Sequence, residues 1–179
     1  MTILVITTIV ITVIDLLRQE IKQTKPFNSL ADEAFLNLQR TADLLSRKVA
    51  DALKPSNITP PQYNVLRILR GAGEHGLINR ELGERMLTFV PDVTRMLDRL
   101  EERKLICRER GTEDRRLVTA CITSEGLELL KKLDGIFKNF HKQLLSGCSE
   151  KELGELIEML EKLRRGAMET NKKSVSKRS

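Results

Sequence analysis

The feature that most constrains this chain of 179 residues is a pair of helix patterns separated by only a few residues. A short helix is predicted from Asn79 to about Met86, and a longer one from about Pro91 to Lys104. The longer segment repeats apolar residues at helical spacing, at Val93, Leu97 and Leu100, with Met96 beside them. Two helices joined by so short a connection predict a helix-turn-helix.

A β-hairpin is predicted directly after the second helix. The runs Leu105 to Arg110 and Arg116 to Thr123 are strand-like, and the segment between them has the composition of a turn. The inner face of the hairpin is expected to carry Val118, Ala120 and Ile122. A helix-turn-helix followed by a hairpin is a winged helix, predicted here over about residues 58–123 of a mainly α fold of the α+β winged-helix type.

Long amphipathic helices flank this unit. Apolar stripes predict helices over about residues 32–54 and 124–168, the second region being divided near Gly147. Side chains suited to helix N-caps precede three helices: Thr59 with Gln62, Thr123, and Ser149 with Glu152. The stripes carry more apolar surface than a small winged domain can cover, so we expect the terminal helices to form an intertwined homodimer. The alternative is that they fold back on their own domain.

The two ends of the chain depart from the domain expected at residues 31–170. Residues 1–30 form an extension whose apolar part, Ile3 to Ile14, is shorter than the roughly 20 residues of a membrane-spanning helix. We expect this extension to dock on the body without stable membrane insertion, and a membrane anchor is the alternative. Residues 171–179 are predicted to be a disordered basic tail, because they carry four Lys or Arg and no acid.

The composition disfavours several kinds of site. Three cysteines, at positions 107, 121 and 148, are too few for a disulfide framework, and their odd number fits a reducing cytoplasm. No zinc-binding spacing is present, and His75 and His141 have no recognisable catalytic partner, so we expect neither an enzyme nor a bound cofactor or metal. One Tyr and no Trp disfavour a stacking platform for single-stranded nucleic acid.

One stretch of the chain carries a recognisable motif. Its residues are Val93-Thr94-Arg95, Asp98, Leu100-Glu101, Leu105-Ile106, Arg108, Asp114-Arg115-Arg116 and Ile122-Thr123 with Gly126. In this order they resemble the MarR-type (multiple antibiotic resistance regulator) family of winged helix-turn-helix transcription regulators, and the resemblance covers about residues 35–163. This sequence departs from the family at Phe89, where a small polar residue is usual, and at Ile78, which leaves Asn79 as the better cap. Lys104 replaces the usual glycine, so this helix end is expected to be strained or differently built.

The resemblance implies that the helix beginning near Pro91 is a recognition helix in the major groove of double-stranded DNA. Its exposed positions are Pro91, Asp92, Thr94, Arg95, Asp98 and Arg99. Arg95 is expected to bind a guanine edge, Thr94 to reach a phosphate or a thymine methyl, and Asp92 to cap the helix or accept from a cytosine amine. The alternative is that both arginines form ion pairs along a solvated face, with Asp92, Asp98 and Glu102.

In the wing, the resemblance implies separate roles for three residues. Asp114 orients Arg116, Arg116 enters the minor groove and reads its width and potential, and Arg115 lies near phosphates. Residues 80–116 hold ten Lys or Arg against nine Asp or Glu, so no generic basic surface is expected. DNA affinity would then depend on a few placed arginines and fall with salt.

The resemblance implies a repressor that binds a pseudo-palindromic operator as a homodimer. Release would follow from a small aromatic or lipophilic ligand in a cleft between the dimer helices and the DNA-binding lobe. Two alternatives stay open. Cys107 and Cys121, on the two wing strands, could make the protein redox-responsive or could be inert thiols. A winged helix that assembles proteins would not need Arg115 and Arg116 exposed beside Arg95.

Overall fold

The computed structural model describes residues 16–110 and 118–176, with side chains placed as far as Glu169. It divides into two compact units, one ending at Ile122 and the other beginning at Thr123. Helices α1 to α7 span Leu16–Glu20, Leu30–Leu53, Pro60–Ala72, Asn79–Arg85, Val93–Glu102, Ser124–Leu144 and Glu150–Ser176. Strands β1 to β3 span Leu77–Ile78, Ile106–Arg110 and Val118–Ile122.

The short helix α1 docks on α2. Leu17 is buried, and Glu20 accepts a hydrogen bond from the Arg40 guanidinium of α2 at 3.0 Å. This part of the N-terminal extension is therefore attached to the body, whereas residues 1–15, which include the apolar stretch, lie outside the described residues. None of the described helices combines the length and the apolar content that a bilayer crossing requires.

Local side-chain chemistry sets the helix starts in the first unit. The Ser29 hydroxyl accepts from the Asp32 amide at 3.1 Å, so α2 begins at Leu30, two residues earlier than predicted. The predicted capping box at the start of α3 is confirmed. Gln62 donates its amide to the Thr59 hydroxyl at 3.4 Å, and the Gln62 side chain accepts from the Thr59 amide at 3.0 Å.

The predicted hairpin is part of a three-stranded antiparallel sheet with the order β1-β3-β2. Strand β2 pairs with β3 from Ile106 opposite Ile122 to Arg110 opposite Val118. The two-residue strand β1 pairs with the other side of β3, which sequence reasoning missed because two residues cannot show a strand period. On the predicted inner face Ala120 is fully buried, but Val118 and Ile122 are only half-buried.

The core of the first unit joins the helices to this sheet. Fully buried leucines come from α2 to α5 and meet Ile106 and Ala120 of the sheet: Leu53, Leu66, Leu69, Leu82, Leu97 and Leu100. Each such side chain contributes about 1.5–3 kcal/mol on burial. Because α5 contributes Leu97 and Leu100 to this core, its opposite face is the one presented to solvent.

The second unit contains α6 and α7. Thr123 caps α6 as predicted, its hydroxyl accepting from the Gly126 amide at 3.1 Å, and α6 buries Leu130, Leu133 and Phe137. The helix ends at Leu144, three residues before Gly147, which does not itself terminate the helix. The capping box of Ser149 with Glu152 is confirmed by bonds of 2.8 and 3.3 Å.

The last helix is longer than expected. Helix α7 continues to Ser176 and so includes residues 171–176 of the segment predicted to be disordered. No Pro or Gly follows Gly166, so the sequence contains no helix breaker there. Disorder of this segment stays a prediction, and residues 177–179 lie outside the described part of the chain.

Candidate nucleic-acid interface

The recognition helix α5 begins at Val93, and Asp92 is its N-cap. An oxygen of the Asp92 carboxylate accepts from the Arg95 amide at 2.9 Å. The predicted capping role of Asp92 is confirmed, whereas the predicted start at Pro91 is two residues too early. A carboxylate here satisfies a free amide and complements the helix dipole. Pro91 is exposed just before the helix.

The other end of α5 explains the unusual Lys104. The helix ends at Glu102, and Lys104 has a φ of +57°, in the left-handed region that favours glycine. The Lys104 amide donates to the Glu101 carbonyl at 2.8 Å, and the Leu105 amide to the Leu100 carbonyl at 3.0 Å. These two bonds make a Schellman motif, so the helix terminates in the usual manner with lysine in the glycine position.

The exposed face of α5 carries the predicted side chains. Thr94, Arg95 and Arg99 are exposed together with Pro91 and Asp92, and the opposite face buries Met96, Leu97 and Leu100. Among the residues that the structure describes, no carboxylate lies within ion-pair distance of the Arg95 or Arg99 side chains. The alternative of ion pairs along the helix is therefore not observed for these two arginines.

Asp98 has a different role from its neighbours. Its carboxylate pairs with the Arg108 guanidinium of β2 at 2.7 Å, and Glu101 accepts from Arg108 Nε at 2.8 Å and from the Arg108 amide at 3.0 Å. We call this group of three residues the Arg108 clamp. The hydrogen bond to Glu101, and then Asp98, raises the pKa of Arg108. The clamp connects the recognition helix to the base of the wing.

Sequence reasoning matched Arg108 to the family motif but assigned it no role. The sequence did contain a sign of this ion pair. Asp98 and Glu101 are three residues apart on one helix face, and Arg108 is the third residue of the strand that follows. The partner could not be chosen from the sequence, however, because Arg99 and Arg103 are closer to both carboxylates along the chain and Arg110 is only two residues further than Arg108. Arg103 instead donates to the backbone carbonyls of Ser56, at 3.2 Å, and Asn57.

The first helix of the helix-turn-helix contacts the second through a side-chain pair. The side-chain amide of Asn79 donates to the Thr94 hydroxyl at 3.4 Å. Asn79 is the first residue of α4 rather than its cap, because Ile78 occupies the N-cap position and its amide is bonded to the Glu81 carboxylate at 3.4 Å. The predicted cap is therefore wrong, and Asn79 instead helps to position Thr94.

The loop before α5 displays two apolar side chains that sequence reasoning did not include in the site. Leu87 is 80% exposed and Phe89 is 91% exposed. The Leu87 amide donates to the Asn64 side chain of α3 at 2.8 Å, which holds the loop against the body. The departure at Phe89 was visible in the sequence, but its exposure depends on the path of this loop.

Asp114, Arg115 and Arg116 lie outside the described residues, between the last described pair, Arg110 and Val118. Their assigned roles therefore stay predictions. The described base of the wing does establish that the hairpin register is regular up to that pair.

A cavity of about 580 Å³ lies in the first unit, between the end of α2 and the last turns of α5. Five of its eleven lining residues are charged: Asp51, Lys54, Arg99, Glu102 and Arg103. Its volume is in the range of small-molecule sites. Within residues 16–110 and 118–169, no group of three His, Cys, Asp or Glu side chains is placed to hold a metal ion.

Comparisons with known proteins agree with this architecture. The MarR family model matches residues 58–118. The HTH-type transcriptional repressor MdtR of Bacillus subtilis (strain 168) is 30% identical over 155 residues, which cover 86% of this chain and 97% of MdtR. A MarR transcription factor from Planctomyces limnophilus, known from its crystal structure, is 36% identical with a TM-score of 0.60, over 75% of this chain and 98% of that one.

A further similar crystal structure contains bound DNA. It is the S. aureus MepR–DNA complex, which is 25% identical to this chain with a TM-score of 0.66, and it covers 72% of this chain and 94% of MepR. The winged helix-turn-helix described above and the near-complete coverage of MdtR lead to one conclusion. The chain belongs to the MarR family of transcriptional regulators.

Proposed function

We propose that this protein represses transcription by binding a specific double-stranded DNA site as a homodimer, and that a small ligand releases it. The observation that carries the proposal is the outer face of α5, where Thr94, Arg95 and Arg99 are exposed. Both arginines lack a carboxylate partner among the described residues, so their charges are free to meet phosphates or base edges. MepR, a relative, has been solved in complex with DNA.

The contacts divide between base edges and backbone. Arg95 lies in the first turn of α5, where a guanidinium reaches a guanine edge with two hydrogen bonds. Thr94, positioned by Asn79, reaches a phosphate or a thymine methyl, and Arg99 one turn further along binds a phosphate. Pro91 and Asp92 lie at the end of α5 that would enter the groove. Asp92 contributes by capping the helix and not by contacting DNA.

Phe89 and Leu87 extend this surface. Apolar side chains in contact with DNA recognise the 5-methyl group of thymine, which adenine, guanine and cytosine lack. Both side chains are exposed and lie just before α5, in a loop held by Asn64. We assign Phe89 a thymine methyl beside the guanine of Arg95.

The wing completes the proposed interface. Asp114 orients Arg116 into the minor groove, and Arg115 binds a phosphate. The described base of the wing is attached to α5 by the Arg108 clamp, so the wing and the recognition helix would approach the duplex together.

Exposed apolar residues support a homodimer. In the first unit, α2 exposes Leu30, Phe35, Leu38 and Leu44. In the second unit, α7 exposes Leu156, Ile157, Met159, Leu163 and Met168. Apolar patches of this extent mark interaction surfaces. A dimer would cover them and would place two recognition helices on half-sites about one helical turn apart.

The cavity at the end of α2 is the proposed effector site. It joins α2, a proposed dimer helix, to α5, the proposed DNA-reading helix, so a ligand there would bias the spacing of the two recognition helices. The proposed effector is a small aromatic or lipophilic molecule, and an acidic group on it would meet Lys54 and Arg99. Because Arg99 belongs to both sites, ligand and DNA would compete for its charge.

The decisive experiment is selection of a binding site from random duplex DNA, followed by affinity measurements on that site. Arg95→Ala is expected to weaken binding by about 1–3 kcal/mol, or roughly 5- to 150-fold in Kd, and to relax preference at one base pair. The matched control is Arg47→Ala, which removes an exposed arginine of α2 that pairs with Asp43. Equal affinity of the Arg95→Ala and Arg47→Ala proteins would contradict the proposal.

The two remaining classes of contact have their own signatures. Arg116→Ala should weaken binding and change its salt dependence, and unchanged affinity across salt concentrations would remove this residue from the interface. Phe89→Ala should weaken binding to a site with thymine but not to the same site with deoxyuridine, which lacks the 5-methyl group. Sedimentation that shows a monomer at micromolar concentration would contradict the homodimer.

A further inference from the structure

Two cysteines face each other across the wing strands. Cys107 of β2 lies directly opposite Cys121 of β3 in the antiparallel register. Opposed residues of antiparallel strands have Cα atoms about 4.5–5.5 Å apart, within the about 4.4–6.8 Å that a disulfide spans. Both side chains are half-exposed. The backbone therefore already satisfies the distance requirement for a cross-link.

The surroundings hold Cys121 in this position. Its thiol donates to the Glu74 carbonyl at 3.8 Å, on the turn that precedes β1. A Cβ atom at Gly76 would lie only 2.4 Å from the Cys121 sulfur, so the turn packs closely against the thiol. These contacts restrict the Cys121 rotamer, so the thiol must leave the Glu74 carbonyl before it can bond to Cys107.

We propose that Cys107 and Cys121 form a reversible disulfide site at the base of the wing, driven by exchange with low-molecular-weight disulfides, and that its oxidation weakens DNA binding. The site itself is independent of the proposed function, and only its effect on DNA rests on that function. Disulfides of cytoplasmic proteins are usually transient or redox-sensing, which fits a site that is reduced in the resting state.

The exchange proceeds in two steps that balance. The Cys107 thiolate attacks one sulfur of the small disulfide, forming a mixed disulfide and releasing one small thiolate, which takes up a proton. Cys121 then gives its proton to solvent and attacks the Cys107 sulfur, forming the protein disulfide and releasing the second small thiol. Two electrons pass from the protein sulfurs to the small disulfide.

The order of attack follows from the environment of Cys121. Burial, and then the neighbouring Cys107 and Glu109, raise the pKa of the Cys121 thiol. Because the thiolate is the attacking species, Cys121 is the slower nucleophile towards a reagent in solution and acts second.

Oxidation would reshape the hairpin. A bond of about 2.05 Å between the two sulfurs would draw the strands together and change their twist. The cysteine pair lies next to Arg108, whose guanidinium holds α5, and three pairs inward from Arg110 and Val118. A rotation at this point would displace Arg108 and, through the Arg108 clamp, the recognition helix.

The test begins with the folded, full-length chain equilibrated in glutathione and glutathione disulfide, then alkylated and digested with trypsin. The expected product links peptide 105–108 to peptide 117–131, with two hydrogens lost and only Cys148 alkylated. The Cys148→Ser variant should give the same linked peptides as the wild-type protein, whereas Cys107→Ser and Cys121→Ser should give no linked pair. In urea the linked fraction should fall about tenfold or more, because the strand pairing no longer holds the thiols together.

Three results would overturn the proposal. The first is alkylation of all three cysteines at the highest proportion of glutathione disulfide. The second is a linked peptide that contains Cys148. The third is formation of the linked pair without any change in the Kd for the selected DNA site. We expect the oxidised wild-type protein to bind this site at least about fivefold more weakly than the reduced protein. The Kd of Cys107→Ser should not change on oxidation. Reduced protein that binds no DNA at all would instead contradict the proposed function.

Discussion

Replacing Arg108 with alanine removes the clamp between the recognition helix and the wing. The variant Arg108→Ala loses the contacts of 2.7 Å to Asp98 and 2.8 Å to Glu101. Buried hydrogen bonds to charged groups contribute about 1.5–3 kcal/mol each. The Arg108 side chain is only 22% exposed, but Asp98 and Glu101 retain 46% and 37% exposure, so water compensates part of the loss.

We therefore expect Arg108→Ala to lower the free energy of unfolding by about 1.5–3 kcal/mol for the whole clamp. Urea denaturation at matched protein concentration measures it, as a lower midpoint with an unchanged slope. The matched control is Arg80→Ala, whose ion pair with Glu84 is a solvent-exposed pair within α4 and should cost no more than about 0.5 kcal/mol.

The two variants together decide the question. If Arg108→Ala and Arg80→Ala lose equal stability, the Arg108 clamp contributes no more than a solvent-exposed ion pair. Arg108→Lys should lie between wild type and alanine, because an ammonium group cannot reproduce the fork that reaches both carboxylates. The double variant of Arg108→Ala with Glu101→Ala should lose less than the sum of the single variants.

Three further changes test other details. Lys104→Gly should raise the free energy of unfolding by about 0.5–1 kcal/mol, measured in urea, because glycine adopts the left-handed φ without steric cost. Gly76→Ala should lower the thermal midpoint and cost more than about 2 kcal/mol, because the new Cβ would collide with Cys121 at a positive φ. Hydrogen bonds from Ser149 lower the pKa of Glu152, so this cap is present above the ordinary value of 4.5 and is lost as pH falls through the lowered value. Hydrogen exchange of the backbone amides in the first turn of α7 measures the loss of this cap, and we expect these amides to lose protection as the pH falls through this range.

Each of these three has a control in the same chain. Lys104→Ala keeps a Cβ atom and should not stabilise the protein, so a gain there would contradict the φ explanation. Gly71→Ala has nothing within 4 Å of the new Cβ and should not destabilise. Glu152→Gln lacks the titrating carboxylate, and an acid response that persists in it would assign the effect to another group.

The parts of the fold that were predictable depend on neighbours in sequence. The Thr59–Gln62 and Ser149–Glu152 boxes and the Thr123 cap involve residues three apart, so a local pattern determines them. The exposed face of α5 follows from its period for the same reason. The predicted helix boundaries were less accurate. Several polar residues near each helix start could accept a hydrogen bond from the first free amides, and only the folded structure shows that Asp92 and Ser29 are the ones that do.

The parts that were not predictable depend on distant segments. Strand β1 exists because Leu77 and Ile78 meet Ala120 and Thr119, and nothing in a dipeptide announces that pairing. The choice of Arg108 as the partner of Asp98 depends on the same hairpin register. The exposure of Phe89 depends on Asn64 in another helix, so the sequence shows the unusual residue without showing where it lies.

The order of the strands also bears on how the protein behaves at high concentration. A sheet edge with unpaired backbone groups is a template on which other chains aggregate. Here β1 forms one edge and is only two residues long, and β2 forms the other and ends in Arg108, Glu109 and Arg110. A short edge and a charged edge both resist the addition of a foreign strand, so neither edge of this small sheet favours fibril-like association.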